Sequence, residues 1–278
     1  MTASICLIIP PSVFLLDERV FMSLGILRIA AVLENAGYSV DVLDLSGVKN
    51  YEEVVQDYTT STPIRTFGLT ATTPQIPAAG KIQLVLRRQL PEARIILGGP
   101  HTTLVHAAFK NEYKRGMRGR ATEAFQQLQQ KYDVLVAGDG ELAIFEALGN
   151  CPPKVIDGDN PQSKIFLTNT LLNELPFPAR HLVDVDSYHY AIDGVPALSM
   201  IAQLGCPFGC GFCGGRMSPS LRRVRTRTSD NVVKEMVHLY KQYGTKGFML
   251  YDDELNVNPK VIELMSVSYT HLTLPTKA

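Results

Sequence analysis

The chain has 278 residues, of which 45% are hydrophobic and 19% charged, and its 27 basic side chains balance 27 acidic ones. This length favours about two domains at roughly 150 residues each. The zero net charge argues against duplex DNA or any partner that is recognised through one large basic face, so we expect small-molecule ligands and no nucleic acid. No apolar run approaches the ~18 residues that span a bilayer, and the N-terminus lacks the pattern of a cleaved secretion signal. The sequence therefore predicts a cytoplasmic protein without a membrane span.

Short β-rich runs alternate with helical segments through the first half of the chain. Residues 4–10 are almost continuously apolar, as in a strand that is covered on both faces. Apolar residues at helical spacing predict a helix over 21–36, which Gly37 ends. Further strands are predicted at 38–45, 66–72, 93–98 and 134–137, with helices around 76–89 and 123–131. This alternation predicts an α/β fold with a doubly wound parallel sheet.

The loops after the predicted strands are candidates for a ligand site, because ligands of such sheets bind beyond the carboxyl ends of the strands. These loops, at 10–17, 70–75, 98–103 and 138–141, are rich in Gly, Thr and Pro. The competing interpretation is that their glycines only make tight strand-to-helix turns. No GxGxxG opens a helix here and no GxxxxGK[ST] is present, so an ordinary dinucleotide or P-loop site loses its main support.

Four strings in this half carry a family resemblance: SLGILRIAAVLENAGYSVDVLDL, GLTATT, ILGGPHTT and VLVAGDGE. They resemble the cobalamin-binding domain at the N-terminus of B12-dependent radical SAM proteins, and the resemblance implies a flavodoxin-like, Rossmann-type sheet whose loops hold the corrinoid. The implied loop residues are Thr70, Thr72, Gly98, Gly99, His101, Gly138, Gly140 and Glu141. His101 has an alternative interpretation as a loop residue that is hydrogen-bonded to backbone. Because the D-x-H-x-x-G motif is absent, we expect cobalamin to bind without a protein histidine ligand.

Prolines mark the middle of the chain as a boundary. Five of them fall between residues 150 and 180, which predicts an extended linker over 151–192 after a cobalamin-binding-like domain at 1–150. The phrase ELPFPARHLVD resembles the connector before the radical SAM core in the same family. Ahead of the linker, residues 104–131 are interpreted as two helices around a solvated basic turn.

Three cysteines, Cys206, Cys210 and Cys213, fall within one Gly-rich loop that follows a predicted strand at 195–204. Thiolates are soft ligands that suit zinc or iron–sulfur clusters. A structural zinc site needs a fourth protein ligand, which is not found nearby in sequence, and the C-x3-C-x2-C spacing differs from that of bacterial ferredoxins. Three incidental thiols are the remaining alternative, and Cys6 and Cys151 are interpreted as bystanders.

The string GCPFGCGFC resembles the radical SAM signature. The resemblance implies a 4Fe-4S cluster on Cys206, Cys210 and Cys213, an open iron position that binds S-adenosylmethionine (SAM), and reductive cleavage of SAM. It also implies that Phe212 packs near the adenine, whereas the alternative is a plain loop anchor.

The segment after the cysteines resembles the opening βαβ unit of a partial (β/α)6, TIM-like radical SAM barrel. It comprises a helix capped by Ser229 or Asp230 and a strand at 247–251. Asp252 and Asp253 would then contact SAM, with a solvated acidic turn as the alternative. The arginines of this segment, Arg222, Arg223, Arg225 and Arg227, are interpreted as a charged strand-loop face.

These assignments predict the N-terminal part of a radical SAM core at 193–266, truncated within that domain, and a non-native tail at 267–278, where VSYTHL matches translated sequencing adapter. The expected function is that of a B12-dependent radical SAM methyltransferase acting on an unactivated centre, with a small-molecule or peptide substrate and an electron donor such as flavodoxin or ferredoxin. The fragment alone is expected to be inactive. The alternatives are a radical SAM cyclase or rearrangement enzyme without methyl transfer, and a non-catalytic corrinoid- or Fe-S-binding module.

Overall fold

The structure is a computed structural model that describes residues 4–257, 260, 263, 264 and 266. The predicted tail at 267–278 lies outside the described residues. Among the helices that are described, none is long and apolar enough to span a membrane.

Apolar segments of the first half form one six-stranded sheet in the order β2-β1-β3-β4-β5-β6, with every neighbouring pair parallel. The strands are β1 (Ser4–Ile9), β2 (Ser39–Asp44), β3 (Thr66–Thr70), β4 (Arg94–Gly98), β5 (Val134–Gly138) and β6 (Val155–Gly158). The order 2-1-3-4-5 is that of flavodoxin-like sheets, whose ligands bind where the strand order reverses. The predicted α/β fold class is confirmed.

Helices cover both faces of this sheet and bury two separate apolar clusters against it. They are α1 (Leu24–Asn35), α2 (Tyr51–Ser61), α3 (Ile76–Gln89), α4 (Pro100–Lys114), α5 (Arg120–Lys131) and α6 (Gly140–Ala147). Helix α2 is not predicted from the sequence, because only Val55 and Thr59 are buried in it and its apolar stripe is correspondingly weak.

The segment predicted as a linker supplies the sixth strand. Pro152 and Pro153 lie just before β6, and the strand itself is four residues long at the edge of the sheet. Prolines flank this strand without interrupting it, so their density misled a prediction based on composition. A short helix, α7 (Asn169–Glu174), follows within the same segment.

The second half opens with a hairpin and a parallel βαβ unit. Strands β7 (Ala191–Ile192) and β8 (Val195–Met200) pair antiparallel, and β8 pairs parallel with β11 (Gly247–Leu250) across helix α9 (Ser229–Tyr243). Between them lie β9 (Gln203–Leu204), α8 (Pro219–Arg222) and β10 (Arg225–Thr226). This is the opening βαβ arrangement that the sequence predicted.

Two local predictions in this half are corrected. The strand predicted over 195–204 is broken between β8 and β9, where the Asp252 carboxylate accepts hydrogen bonds from the backbone N–H groups of Ala202 and Gln203. Helix α9 is capped by Thr228, whose hydroxyl accepts a hydrogen bond from the backbone N–H of Asn231 at 3.3 Å, and not by Ser229 or Asp230.

Candidate cofactor-binding site

A cavity of about 260 Å³ lies at the carboxyl ends of β1, β3, β4 and β5. Its wall on the sheet side is apolar, with Leu7, Leu69, Ile96 and Val136, and helices α1 and α6 form its sides. Its remaining wall comes from the second half of the chain, through Ile201, Leu204, Gly205, Ser220, Leu221, Arg225 and Asp253. The cavity therefore lies between the six-stranded sheet and the cysteine-containing half. Enclosed apolar sites with a few polar groups are the usual form of cofactor pockets.

Seven of the predicted cofactor residues line this cavity: Thr70, Gly98, Gly99, Gly138, Gly140, Glu141 and Asp253. Gly99 has φ +91°, and a Cβ there would lie 2.6 Å from Thr70 Oγ1. Glycine is thus required where the ends of β3 and β4 meet. The structure brings these loop residues together as predicted, and their roles towards a cofactor stay a prediction.

Thr72, His101, Asp252 and Phe212 lie outside the lining of the cavity. Thr72 donates its backbone N–H and its hydroxyl to Gln75 Oε1, both at 2.9 Å. The His101 backbone N–H donates to Ala71 at 2.9 Å and its Nδ1 lies 3.0 Å from Thr73 Oγ1, while burial lowers the pKa of the ring. His101 therefore matches its alternative interpretation as a hydrogen-bonded loop residue.

The cavity wall contains a buried ion pair that is not predicted from the sequence. Arg28 Nη2 lies 2.7 Å from Glu141 Oε1, and both side chains are at least nine-tenths buried. The sequence contained a signal, since Arg28 is the only charged residue in the otherwise apolar run LGILRIAAVL of α1. A charge on the buried face of a helix needs a partner, and charged residues are almost never fully buried without one.

Two of the four arginines interpreted as a charged face are instead largely buried. Arg225 pairs with Asp139 at the end of β5 and stacks 4.9 Å from the ring centroid of Phe166. Arg227 pairs with Glu235, which also binds the buried Arg180 at 2.8 Å. Burial raises the pKa of Asp139 to about 6 against the opposing effect of Arg225. The pair between Asp139 and Arg225 fixes the second half of the chain to the sheet.

The cysteine loop, residues 205–213, adjoins the cavity through Gly205. All three thiols are free; Cys206 is half-buried, and Cys210 and Cys213 are exposed. Phe212 is 94% exposed, so its ring faces solvent. In kind and number the thiols fit three ligands of an iron–sulfur cluster. Over the part of the chain that is described, no three Cys, His, Asp or Glu side chains lie close enough together to hold a metal ion. The three thiols of the loop therefore do not converge on one point.

The acidic residues at the end of β11 have different surroundings. Asp253 lines the cavity. Asp252 accepts hydrogen bonds from the backbone N–H groups of Ala202, at 3.0 Å, and Gln203. Burial raises the pKa of Asp252 to about 6. Asp252 is therefore tied to the strand before the cysteine loop, and of the two only Asp253 faces the space where a ligand fits.

The fold is a flavodoxin-like α/β domain joined to a parallel βαβ unit. Residues 18–129 match the family model of the B12 binding domain. An uncharacterized methyltransferase of Pyrococcus horikoshii is 27% identical over 196 residues, which is 69% of this chain and 40% of that protein. The anaerobic magnesium-protoporphyrin IX monomethyl ester cyclase of Synechocystis is 25% identical over 256 residues, 86% of this chain and 46% of the cyclase.

Solved structures agree with this fold. The radical S-adenosylmethionine methyltransferase TsrM of Kitasatospora setae, with cobalamin and a [4Fe-4S] cluster bound, superposes with TM-score 0.62 at 19% identity over 96% of this chain and 51% of TsrM. The cobalamin-dependent radical enzyme OxsB, with aqua-cobalamin and S-adenosylmethionine bound, gives TM-score 0.68 at 13% identity over 99% of this chain and 38% of OxsB.

These matches confirm the resemblance that the sequence carried: the chain is similar in sequence to a methyltransferase and a cyclase, and in fold to cobalamin-dependent radical SAM enzymes. The chain spans less than half the length of the curated relatives it matches.

Proposed function

We propose that this chain is the cofactor-binding part of a cobalamin-dependent radical SAM methyltransferase. The cavity takes part of a corrinoid, and Cys206, Cys210 and Cys213 hold a 4Fe-4S cluster that binds SAM. The observation that carries this proposal is the shared wall: Gly205, at the start of the cysteine loop, lines the same cavity as the strand-end residues of the B12-binding sheet. Two cofactors bound here would be neighbours, as methyl transfer between them requires.

Each group of residues has a proposed role. The loop residues Gly98, Gly99, Gly138 and Gly140 let a flat ligand approach the backbone, because they carry no side chain. Thr70 and Glu141 add polar contacts at the cavity wall, and Thr72 and His101 support the same loops. When bound, the cluster would supply the electron that cleaves SAM, while the protein orients SAM and excludes water.

Residues near the cysteine loop would serve SAM itself. Asp253 lines the cavity and is the better placed of the two acidic candidates for the SAM amino group. Asp252 would act by fixing the backbone between β8 and β9. Phe212 is free to cover the adenine, since its ring is exposed on the loop. An electron donor such as flavodoxin or ferredoxin, a small-molecule or peptide substrate and a cytoplasmic location complete the proposal.

A radical SAM cyclase is the second candidate, because the cyclase of Synechocystis matches 86% of this chain. Methyl transfer separates the two candidates. A methyltransferase of this type would transfer the methyl group of methylcobalamin to its substrate, whereas a cyclase needs no methyl transfer. Assay of the protein with SAM that carries an isotopically labelled methyl group distinguishes them by whether label reaches a methylated substrate. Labelled methionine, which reductive cleavage of SAM releases in either reaction, does not separate the two.

The experiment that tests the corrinoid site uses two helical glycines. Gly25 in α1 lines the cavity, and Gly80 in α3 lies away from it; a Cβ at either position meets nothing within 4 Å. Leucine at either site therefore fits the helix without a clash at its Cβ, but only Gly25→Leu adds atoms at the cavity. We expect Gly25→Leu to weaken aqua-cobalamin retention at least tenfold in equilibrium dialysis and Gly80→Leu to leave it unchanged.

Two results contradict this assignment. If the native chain does not retain aqua-cobalamin, the corrinoid proposal fails. If Gly25→Leu retains it as well as the native chain, the ligand lies elsewhere. The absence of a histidine ligand is tested separately by EPR of the Co(II) form, where nitrogen splitting from an imidazole would refute it.

A further inference from the structure

Two neighbouring strands of the sheet end in the same dipeptide, Gly-Asp. Gly138 ends β5 and is followed by Asp139, while Gly158 ends β6 and is followed by Asp159. The two glycines are paired in register. A Cβ on Gly138 would lie 2.2 Å from the Asp159 backbone nitrogen, and a Cβ on Gly158 would lie 2.5 Å from the Asp139 carbonyl oxygen. Glycine at both positions therefore allows two carboxylates to leave the sheet edge side by side.

Asp159 is completely buried and binds the segment that follows the cysteine loop. Its Oδ1 accepts three hydrogen bonds, from Ser218 Oγ at 2.6 Å, Ser220 N at 2.8 Å and Ser220 Oγ at 2.7 Å. Its Oδ2 lies 3.4 Å from Lys110 Nζ. Hydrogen bonds to an ionised acceptor are the strong ones. One carboxylate thus orders two serines of the second half of the chain.

Asp139 binds the same segment a few residues further on. Its Oδ2 accepts from Arg225 and from the backbone N–H of Leu167, the latter at 3.0 Å. Arg225 donates an N–H of its Nη2 to the carbonyl oxygen of Ser220 at 2.6 Å. Both carboxylates therefore meet at Ser220, one directly and one through Arg225.

The segment that these carboxylates hold closes the base of the cysteine loop. The backbone N–H of Cys206 donates to Leu221 at 3.0 Å. A Cβ on Gly205 would lie 2.3 Å from the Arg223 carbonyl oxygen, so the start of the loop lies directly against this segment. Ser220, Leu221 and Arg225 also line the cavity.

We infer that Asp139 and Asp159 are positioning residues that fix the cysteine loop over the cavity of the sheet. The inference rests on the proposed function for the identity of the cofactors, and on the contacts above for the positioning itself. The carboxylates act through Ser218, Ser220 and Arg225, and so set how a group held by Cys206 stands relative to a ligand in the cavity.

The test measures amide hydrogen exchange on the full chain without cofactors. Asp159→Asn removes the negative charge and supplies an N–H₂ group where Asp159 accepts only. We expect peptides covering 204–225 to exchange at least tenfold faster, with strands β1, β3 and β4 unchanged. Asp133→Asn is the matched control, since Asp133 also accepts from a backbone N–H, that of Ile95 at 2.7 Å, and from Arg87 at 2.7 Å, but lies at the opposite end of β5.

A milder variant keeps the test valid if Asp159→Asn does not fold. Ser220→Ala removes one of the three donors to Asp159 and should give a smaller acceleration, about threefold to tenfold, in the same peptides. If both Asp159→Asn and Ser220→Ala exchange like the native chain over 204–225, the positioning role is overturned.

A second readout uses the loaded chain and separates this inference from the proposed function. After reconstitution with iron, sulfide and aqua-cobalamin, we expect Asp159→Asn to keep its corrinoid but to bind SAM at least fivefold more weakly, measured by the change that SAM causes in the EPR spectrum of the reduced cluster. Native affinity for SAM in Asp159→Asn would contradict the inference. Failure of the native chain to take up iron would contradict the proposed function, while the exchange experiment would still decide the positioning role.

Discussion

Arg28 Nη2 lies 2.7 Å from Glu141 Oε1, joining helix α1 to the first turn of α6 across the wall of the cavity. Neither helix forms this contact alone, because α1 follows β1 and α6 follows β5, and strands β3 and β4 lie between those two strands in the sheet. The pair therefore closes one side of the cavity only when strands β1, β3, β4 and β5 lie side by side. It places two paired charges next to a mainly apolar cavity.

Removing one partner of this pair leaves an uncompensated buried charge. We expect Arg28→Met to lower the free energy of unfolding by about 3 kcal/mol, within the usual range for broken buried pairs. The measurement is urea denaturation followed by circular dichroism. Lys81→Met is the control, because the Lys81–Glu52 pair is exposed on both sides and its loss should not move the midpoint. Equal midpoint shifts in the two variants would contradict a structural role for the buried pair.

Asp252 predicts a pH dependence of stability. Burial raises its folded pKa to about 6, whereas an unfolded aspartate titrates near 3.8. A raised folded pKa means that the folded state binds the proton more tightly, so the stabilisation is fully present below about pH 3.8 and is lost as pH rises through about 6. Asp252→Asn keeps the Oδ1 acceptor and cannot ionise.

We therefore expect the native chain to lose stability relative to Asp252→Asn by roughly 2–3 kcal/mol between about pH 4 and pH 6.5. Urea midpoints measured across this range give the difference. Using the difference between the two proteins removes the contribution of Asp139, whose pKa is also raised to about 6. A difference that stays constant with pH would show that Asp252 titrates normally.

Two adjacent glycines of the cavity should respond differently to alanine. Gly99 has φ +91° with a Cβ position 2.6 Å from Thr70 Oγ1, so Gly99→Ala should cost about 2 kcal/mol or more from strain and steric overlap. At Gly98 the nearest atoms to a Cβ are those of Val136 at 3.7 Å, an ordinary contact, so Gly98→Ala should be tolerated. Thermal unfolding of the two variants measures the contrast. Similar melting temperatures would indicate that the β3–β4 junction can relax.

Thr228 caps helix α9 through a hydrogen bond from the backbone N–H of Asn231. Thr228→Ala should therefore destabilise the chain by about 1 kcal/mol, and Thr228→Ser should recover most of that loss. Chemical denaturation gives both values. An alanine variant as stable as the native chain would assign the cap to another group.

The sequence predicted the parts of this molecule that depend on local pattern. Apolar runs identified β1 and β4, and the cysteine spacing identified the loop at 205–213 as a candidate cluster site, which stays a prediction. The short strand β6 was hidden among prolines, and α2 by its weak apolar stripe.

The missed contacts at the site are long-range ones. The partners Asp139 and Arg225 are 86 residues apart, and Asp159 and Ser220 are 61 apart. No local spacing brings such residues together. Arg28 differs from these residues in one respect. A lone charge on an apolar helix face already indicates that it has a buried partner, although the sequence does not identify Glu141 as that partner.

Reconstitution of the full chain with iron and sulfide under anaerobic conditions tests the central claim most directly. The measurement is iron per chain, with the EPR spectrum after reduction, for the native chain and for alanine variants of Cys206, Cys210, Cys213 and Cys151. We predict about four irons per native chain, a spectrum that changes when SAM is added, and loss of both in each of the three loop variants. Cys151→Ala should behave like the native chain, because Cys151 is an exposed thiol outside the loop. A native chain that takes up no iron, or loop variants that take up as much iron as the native chain, would contradict the assignment of the cysteine loop as a cluster site.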